Sequence, residues 1–427
     1  MIGRTISANF VIQAMTLATS VLTARLLGPH GRGELALVLL YPQLLAGIAF
    51  LGVDRAIAIL GGRGDLRNPL ATITKLVFLF SVPAIVAGYV AVTWRLKDNH
   101  LAGLSTIYLA YVPATYFFTL AVNLFNGIGD FFRFSVARLW FYGWNLSLVL
   151  AVWLVASDRH LEWIVIANLI SAYSAFFVAL WLMRGRFPRS EQAGVLNHGE
   201  AQAVVRLSLV FALPVMLYNV SNSAYQVLLE HAMGLEPLGL FVVYFAYSRL
   251  LAPLGSAIGF HVFHIGIAEK SMDMSRVHRQ SLLIYLVCSV PLWLLADSLI
   301  PFVFGRGFVA NTGVTALLFM SCIFAFLADS MAEFLRGRRQ VRADINGRLI
   351  YLGTLGTLGV ALMLPLGLFG LALAMAGGDA LRSVYLASRV GRETGRETGE
   401  FWRVGRRDVL ELSNMAKTML RGLLARR

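Results

Sequence analysis

A chain of 427 residues that is 58% hydrophobic and only 14% charged, with a mean hydropathy of +0.69, carries more apolar surface than a water-soluble core of ordinary proportions can hide. Apolar runs of about 18 or more residues recur along its whole length, the pattern of α-helices that satisfy their own backbone while crossing about 30 Å of hydrocarbon, and not the ten-residue alternation of a β-barrel. A net charge of +14 would suit nucleic acid in a soluble protein, but here the useful question is which connections hold it, and no nucleic-acid partner is inferred.

The pattern predicts an all-α integral membrane protein with about twelve transmembrane helices, near 6–27, 34–60, 72–94, 103–126, 132–156, 161–183, 205–230, 237–267, 279–304, 310–335, 345–364 and 367–389. The first run is too long and too polar for a cleaved signal peptide, so it is expected to remain as the first span. Connections on the N-terminal side hold 28 of the 37 Lys and Arg residues, which predicts that both termini are cytoplasmic. Cys288 and Cys322 lie in apolar runs without metal-ligand spacing and read as small core residues.

The first span carries Thr5, Asn9, Gln13, Thr16, Ser20 and Thr23 on one helical face, and Arg25 stands at its end just before Gly28-Pro29. Asp54 and Arg55 fall near the inner end of the second span. In the seventh, Asn219, Asn222, Gln226 and Glu230 form a matching stripe, with Pro214 beside it as the preferred hinge among six span prolines that also include Pro42, Pro83, Pro113, Pro253 and Pro291. The two stripes suggest a water-accessible cavity whose amides and hydroxyls could meet sugar hydroxyls. Interhelical hydrogen bonding is the other reading.

Ionisable groups inside a span cost at least about 2.5 to 3.5 kcal/mol at mid-bilayer, so each calls for a reason. Arg249, twelve residues into the eighth span, is too deep for simple snorkelling and is expected to face a cavity or a partner. Asp329 in the tenth span suits a coupling ion or a cavity arginine, with Asp54 a further acid for ion coupling. Asp379 and Arg382, three apart on one face, read as a self-satisfying pair. His261 and His264 lack a third metal ligand, no phosphate-cradling loop occurs, and neither a metal, a cofactor nor an enzymatic activity is expected.

The chain also repeats itself. Gly28, Gly33 and Tyr41 match Gly234, Gly239 and Tyr247 at an offset of 206 residues, and Gly127, Arg138 and Leu139 match Gly337, Arg348 and Leu349 at 210. This predicts two six-helix lobes, 1–190 and 205–390, related by a pseudo-two-fold axis along the membrane normal, with a cytoplasmic linker at 191–204. Residues 391–427 read as a basic cytoplasmic tail: a polar Gly-Arg-Glu-Thr repeat as linker, then an amphipathic segment suited to anionic lipid.

Twelve helices in two lobes, Ala24-Arg25-Leu26-Leu27-Gly28-Pro29 closing the first span and Gly31-Arg32-Gly33 opening the second resemble the polysaccharide exporters of the multidrug, oligosaccharidyl-lipid and polysaccharide (MOP) superfamily, and among them the O-antigen and exopolysaccharide flippases. The resemblance implies translocation of an undecaprenyl-diphosphate-linked oligosaccharide between the leaflets of the bacterial inner membrane. Arg249, Arg55 and Arg25 would hold the diphosphate, membrane lipid would surround a monomer, and a polysaccharide polymerase and glycosyltransferases are candidate partners. Arg249, Leu250, Pro253, Leu254 and Gly255 loosely match the lipid II branch. Multidrug cation antiporters of the same superfamily stay open through Asp329. A polymerase or ligase fits less well, because every connection expected on the far side is short.

Overall fold

The computed structural model describes residues 2–97, 100–156, 160–187, 198–255, 258, 259, 262, 273–338, 340–411 and 414, with side chains from residue 8 onward except at 198. The described chain is helical, with no strand among the described residues, as anticipated above. It resolves into two compact units, Met1–Ala246 with Pro301–Val309, and Tyr247–Ile300 with Ala310–Arg427.

The first unit contains α1 (Ile2–Ala49), α2 (Val53–Arg63), α3 (Pro69–Arg95), α4 (Ala102–Tyr108), α5 (Tyr111–Gly127), α6 (Phe131–Val155), α7 (His160–Arg186), α8 (His198–Met233) and the greater part of α9 (Leu235–Ser248), and Val53, Ile57, Ile73, Leu120 and Phe125, all fully buried, lie in a core that α1 to α3 and α5 to α8 share. Glycine sets how close the helices come. A Cβ at Gly127 would fall 2.1 Å from the carbonyl oxygen of Ala58, so α2 and α5 touch backbone to backbone there. Asp130 caps α6 by accepting from the Arg133 N–H at 3.2 Å.

The second unit contains the close of α9, a 3₁₀ turn (Arg249–Leu251), α10 (Met274–Leu294), α12 (Thr312–Gly337), α13 (Val341–Thr354), a wide π turn (Leu355–Gly359) and α14 (Val360–Thr394). The short α11 (Ala296–Phe304) leads from it to the segment 301–309 of the first unit. Asp273 and Asn311 cap α10 and α12 by accepting from the N–H groups of Arg276 and Val314.

Ten helical runs among the described residues are long and apolar enough to cross a membrane, where about twelve were expected. Two of them, Ala8–Ala49 and Val341–Thr394, reach 42 and 54 residues, at least twice what one crossing needs. The expected boundaries lie inside them as breaks at Gly28 (φ 65, ψ −175) and Gly367 (φ 58, ψ −136). At the second break a Cβ on Gly370 would lie 2.1 Å from the carbonyl oxygen of Leu362. Eight residues of straight helix would hold those groups about 12 Å apart, so the chain folds back at Gly367.

The expected second span, 34–60, is likewise two pieces. The helix stops at Ala49, Leu51 adopts φ 47, Gly52 φ 74, and α2 restarts at Val53. The last carbonyls of a helix lack partners of their own. Here the Gly47 carbonyl accepts from Asn219 Nδ2 at 2.8 Å, and that of Ala46, which already takes the Phe50 N–H, also accepts from the Tyr116 hydroxyl at 2.6 Å, which stabilises the interruption.

The tail differs from the expected linker in its first part. Gly391–Thr394 continue α14, Gly395 (φ 68) ends it, and Thr398–Phe401 form a 3₁₀ turn that buries Phe401 completely. Arg279 of α10 holds this segment, donating Nε to Asp408 at 3.0 Å and Nη1 to the Glu400 carbonyl at 2.7 Å. Of the amphipathic stretch expected from Val409 onward, 409–411 and 414 are helical and the rest lies outside the described residues, as do His261, His264 and the part 191–197 of the expected linker 191–204, whose remainder, 198–204, belongs to α8.

Candidate functional site

The polar stripe of the first span is mostly answered by nearby groups. Asn9 Oδ1 accepts from Arg138 Nη1 at 2.9 Å, and the Thr16 and Thr23 hydroxyls turn back onto the Ile12 and Ser20 carbonyls of their own helix. Gln13 is half-buried and hydrogen-bonds to no described residue, and the Ser20 hydroxyl is buried without a partner among them. On α8, Asn219 holds Gly47, Asn222 donates to the Tyr218 carbonyl at 3.0 Å, and Gln226 donates to the Tyr225 hydroxyl at 2.9 Å. Helix α8 runs on through Pro214.

The hairpin ends repeat their geometry. Gly28 and Gly234, 206 residues apart, both have positive φ. A Cβ at Gly33 would strike the Leu235 carbonyl oxygen at 1.8 Å, and one at Gly239 the Pro29 carbonyl oxygen at 1.9 Å. Beside them Arg25 donates Nε to the Val303 carbonyl at 2.8 Å and Nη2 to the Phe302 carbonyl, on the rim of a cavity of about 520 Å³ that Gly28, Gly305 and Arg306 also line. Arg25 therefore satisfies the carbonyls at the end of α11. A second group unites Arg95, Glu230, Tyr41 and His231: Arg95 Nη2 lies 3.7 Å from Glu230 Oε2 and 3.4 Å from His231 Nδ1. Asp54 and Arg55 sit in the first turn of α2, their charged atoms 3.8 Å apart; Arg55 is exposed, and Asp54 Oδ1 is buried without a hydrogen-bond donor among the described residues.

In the second unit, Pro253 removes the N–H that would bond to the Arg249 carbonyl, and the backbone tightens into a 3₁₀ turn in which the Ala252 N–H takes that carbonyl instead. Half-buried Arg249 is thereby fixed at an interruption of its span, within hydrogen-bonding reach of the Cys322 sulfur and in electrostatic range of Asp379.

Asp329 meets arginines from two other helices. Arg382 Nη2 lies 2.6 Å from its Oδ1 and Arg348 Nη2 3.6 Å from the same atom. Behind them Asp344 lies 3.2 Å from Arg348 Nε, 3.6 Å from Arg382 Nη2 and 3.7 Å from Arg336 Nε. Arg348, Arg382 and Asp344 are buried, whereas the Asp329 side chain keeps 42% of its surface accessible. Asp379 does not pair with Arg382 as its spacing suggested: its Oδ2 accepts from the Ser321 hydroxyl at 2.6 Å, and Arg382 turns to Asp329. The expected spans end at 335 and resume at 345, which leaves Arg336 and Asp344 in the connection between them, whereas α13 already begins at Val341. The signal was there in the Asp344/Arg348 spacing of four, had the span been started at Val341.

No family model matches the sequence, and no curated protein matches it. Solved structures do. An inward-facing MATE-family multidrug resistance transporter of the MOP superfamily aligns over 92% of this chain and 96% of its own, with a TM-score of 0.69 at 14% identity. The lipid II flippase MurJ, in an inward closed conformation, aligns over 96% and 92%, with 0.72 at 13%. A MOP superfamily transporter from Pyrococcus furiosus, described as having a binding pocket of reverse polarity, aligns over 94% and 96%, with 0.66 at 14%. These likenesses place the chain in the fold of multi-pass MOP transporters.

Proposed function

We propose that this protein is a flippase carrying an undecaprenyl-diphosphate-linked oligosaccharide, such as an O-antigen, exopolysaccharide or capsule repeat unit, from the cytoplasmic to the periplasmic leaflet of the bacterial inner membrane. It works by alternating access, with both termini cytoplasmic. The observation that carries the reading is Arg249, a guanidinium fixed at an interrupted membrane span within electrostatic range of Asp379. Such a group suits a dianionic diphosphate, which arginine binds through paired N–H donors. The MurJ likeness supports a lipid-linked substrate.

Arg55 is exposed and loosely paired, so it offers a second cation, while Arg25 spends two N–H groups on backbone carbonyls. Gln13 and the Ser20 hydroxyl, without partners among the described residues, are the stripe groups open to sugar hydroxyls or water. Asp329, accessible at the edge of its arginine cluster, is the ion-coupling acid. Surface-polysaccharide export and leaflet transfer of a fluorescent lipid-linked sugar should both be lost in Arg249→Ala at unchanged protein level. Normal transfer in that variant removes Arg249 from the mechanism. Cation antiport is the second reading, favoured by the accessible Asp329 and the MATE likeness; drug efflux that depends on Asp329 and ignores Arg249 would select it.

A further inference from the structure

The second unit contains a continuous alternation of charge that joins the anion-binding candidate to the coupling candidate. Arg249 lies in the field of Asp379, and Asp379 in that of Arg382, three residues along the same face of α14. Arg382 is ion-paired to Asp329, which also meets Arg348. In this arrangement Arg382 faces three carboxylates: it pairs with Asp329, lies 3.6 Å from Asp344, and is not paired with Asp379. Asp379 meanwhile has a neutral donor, the Ser321 hydroxyl, and two arginines near enough to feel.

We propose that Asp379 and Arg382 are positioning residues that make anion binding at Arg249 and cation binding at Asp329 depend on one another. The proposal rests on the diphosphate reading of Arg249. Without substrate, Asp379 supplies the negative potential at Arg249 and Arg382 neutralises Asp329. A diphosphate arriving at Arg249 brings its own negative charge, which repels Asp379 and leaves it for Arg382. As Arg382 swings by three residues' spacing from Asp329 to Asp379, Asp329 is released toward the accessible side on which 42% of its surface already lies, and it takes up one monovalent cation, a proton or sodium. The cluster's charge is then balanced in both states, because one positive charge enters as Arg382 leaves. Buried charges left unpaired cost several kcal/mol, so neither half of the exchange is favourable alone. Such mutual dependence is what coupling between two sites means.

The groups facing Asp329 limit what else could titrate there. They are Arg382 from α14, Arg348 and Asp344 from α13, Tyr285 from α10, and Arg336 on its own helix. Among these only Asp329 combines accessibility with an arginine that has a second carboxylate within its reach.

The test uses the full chain in lipid nanodiscs and a short prenyl-diphosphoryl-N-acetylglucosamine, whose diphosphate diester stays doubly ionised through neutral pH. Its Kd is measured across pH at fixed sodium and across sodium at fixed pH. The wild type should bind more tightly as one of the two cations rises, by up to about tenfold per tenfold in that cation; the arm that responds identifies it. Asp379→Asn should bind the probe at least as tightly, because a competitor for Arg249 is gone, and lose the cation dependence. Asp329→Asn should lose it too, and Asp379→Glu should restore it, which separates an exchange from mere loss of structure. If Arg249→Ala binds the probe like the wild type, the diphosphate reading and the exchange both fail. If Arg249→Ala loses binding while Asp379→Asn keeps the wild-type cation dependence, or if the wild type shows none, only the exchange fails.

Discussion

Gly33 and Gly239 approach each other's hairpin at equivalent points: Gly33 lies against the carbonyl of Leu235, and Gly239, 206 residues on, against that of Pro29, which is 206 residues before Leu235. A contact in which i meets j and the equivalent of j meets the equivalent of i is the signature of a two-fold axis. Here it runs through a single chain. Neither glycine admits a side chain, since a methyl would lie under 2 Å from a backbone oxygen that cannot step aside. Gly33→Ala and Gly239→Ala should each lower stability by about 2 kcal/mol or more, read as melting of the purified protein. Gly353→Ala, a helical glycine with nothing within 4 Å, should be neutral or slightly stabilising.

Arg25 offers a test that separates capping from ligand binding. Its Nε and Nη2 donate in parallel to two successive carbonyls, a fork that lysine cannot reproduce. Arg25→Lys should therefore lose about 1 to 3 kcal/mol of stability, as much as Arg25→Ala. A residue that only attracts phosphate would be rescued by lysine, so full recovery in melting and export would show that the carbonyl bonds are incidental.

Asp344 and Asp329 share two arginines but differ in exposure, and that difference sets the expected order of their effects. Asp344→Asn leaves three guanidinium groups facing a buried site without their carboxylate and should cost about 3 to 5 kcal/mol. Asp329→Asn, at a side chain 42% accessible, should cost clearly less while affecting transport more. A melting series on the two variants checks the order.

The segment after α14 is held by charge at one end and by Phe401 at the other. Burial pushes the Asp408 carboxyl upward, but the Gly405 N–H and the Arg279 and Arg276 cations outweigh it and hold it below the usual carboxylate range. Its contribution is present above the ordinary carboxylate pKa of about 4 and is lost as pH falls through the lower folded value. Limited proteolysis should accordingly leave residues 395–411 intact at neutral pH and cut them in Arg279→Ala, which removes both contacts to the segment.

What could be seen in the sequence follows from the range of each interaction. The helices, the Gly28 and Gly234 turns and the 206-residue repeat rest on local composition and spacing, and all are visible in one dimension. The partners of Asp329 are not, because Arg382 reaches it across 53 residues and the nearer-looking Asp379 turns to Ser321. Tail docking was hidden for a similar reason. Gly-Arg-Glu-Thr repeats look solvated, and only the aromatic pair Phe401 and Trp402, packed on the His278 ring, marks a segment with a face to bury.

Leu51 is the one described non-glycine residue with positive φ, at the gap between α1 and α2. A left-handed leucine costs roughly 1 to 2 kcal/mol that glycine at the same place would not. Leu51→Gly should therefore relax the joint in this arrangement and slow any departure from it. The leucine keeps that joint cocked: strain of about this size is held at position 51 and is given back in any arrangement that lets the residue leave the left-handed region.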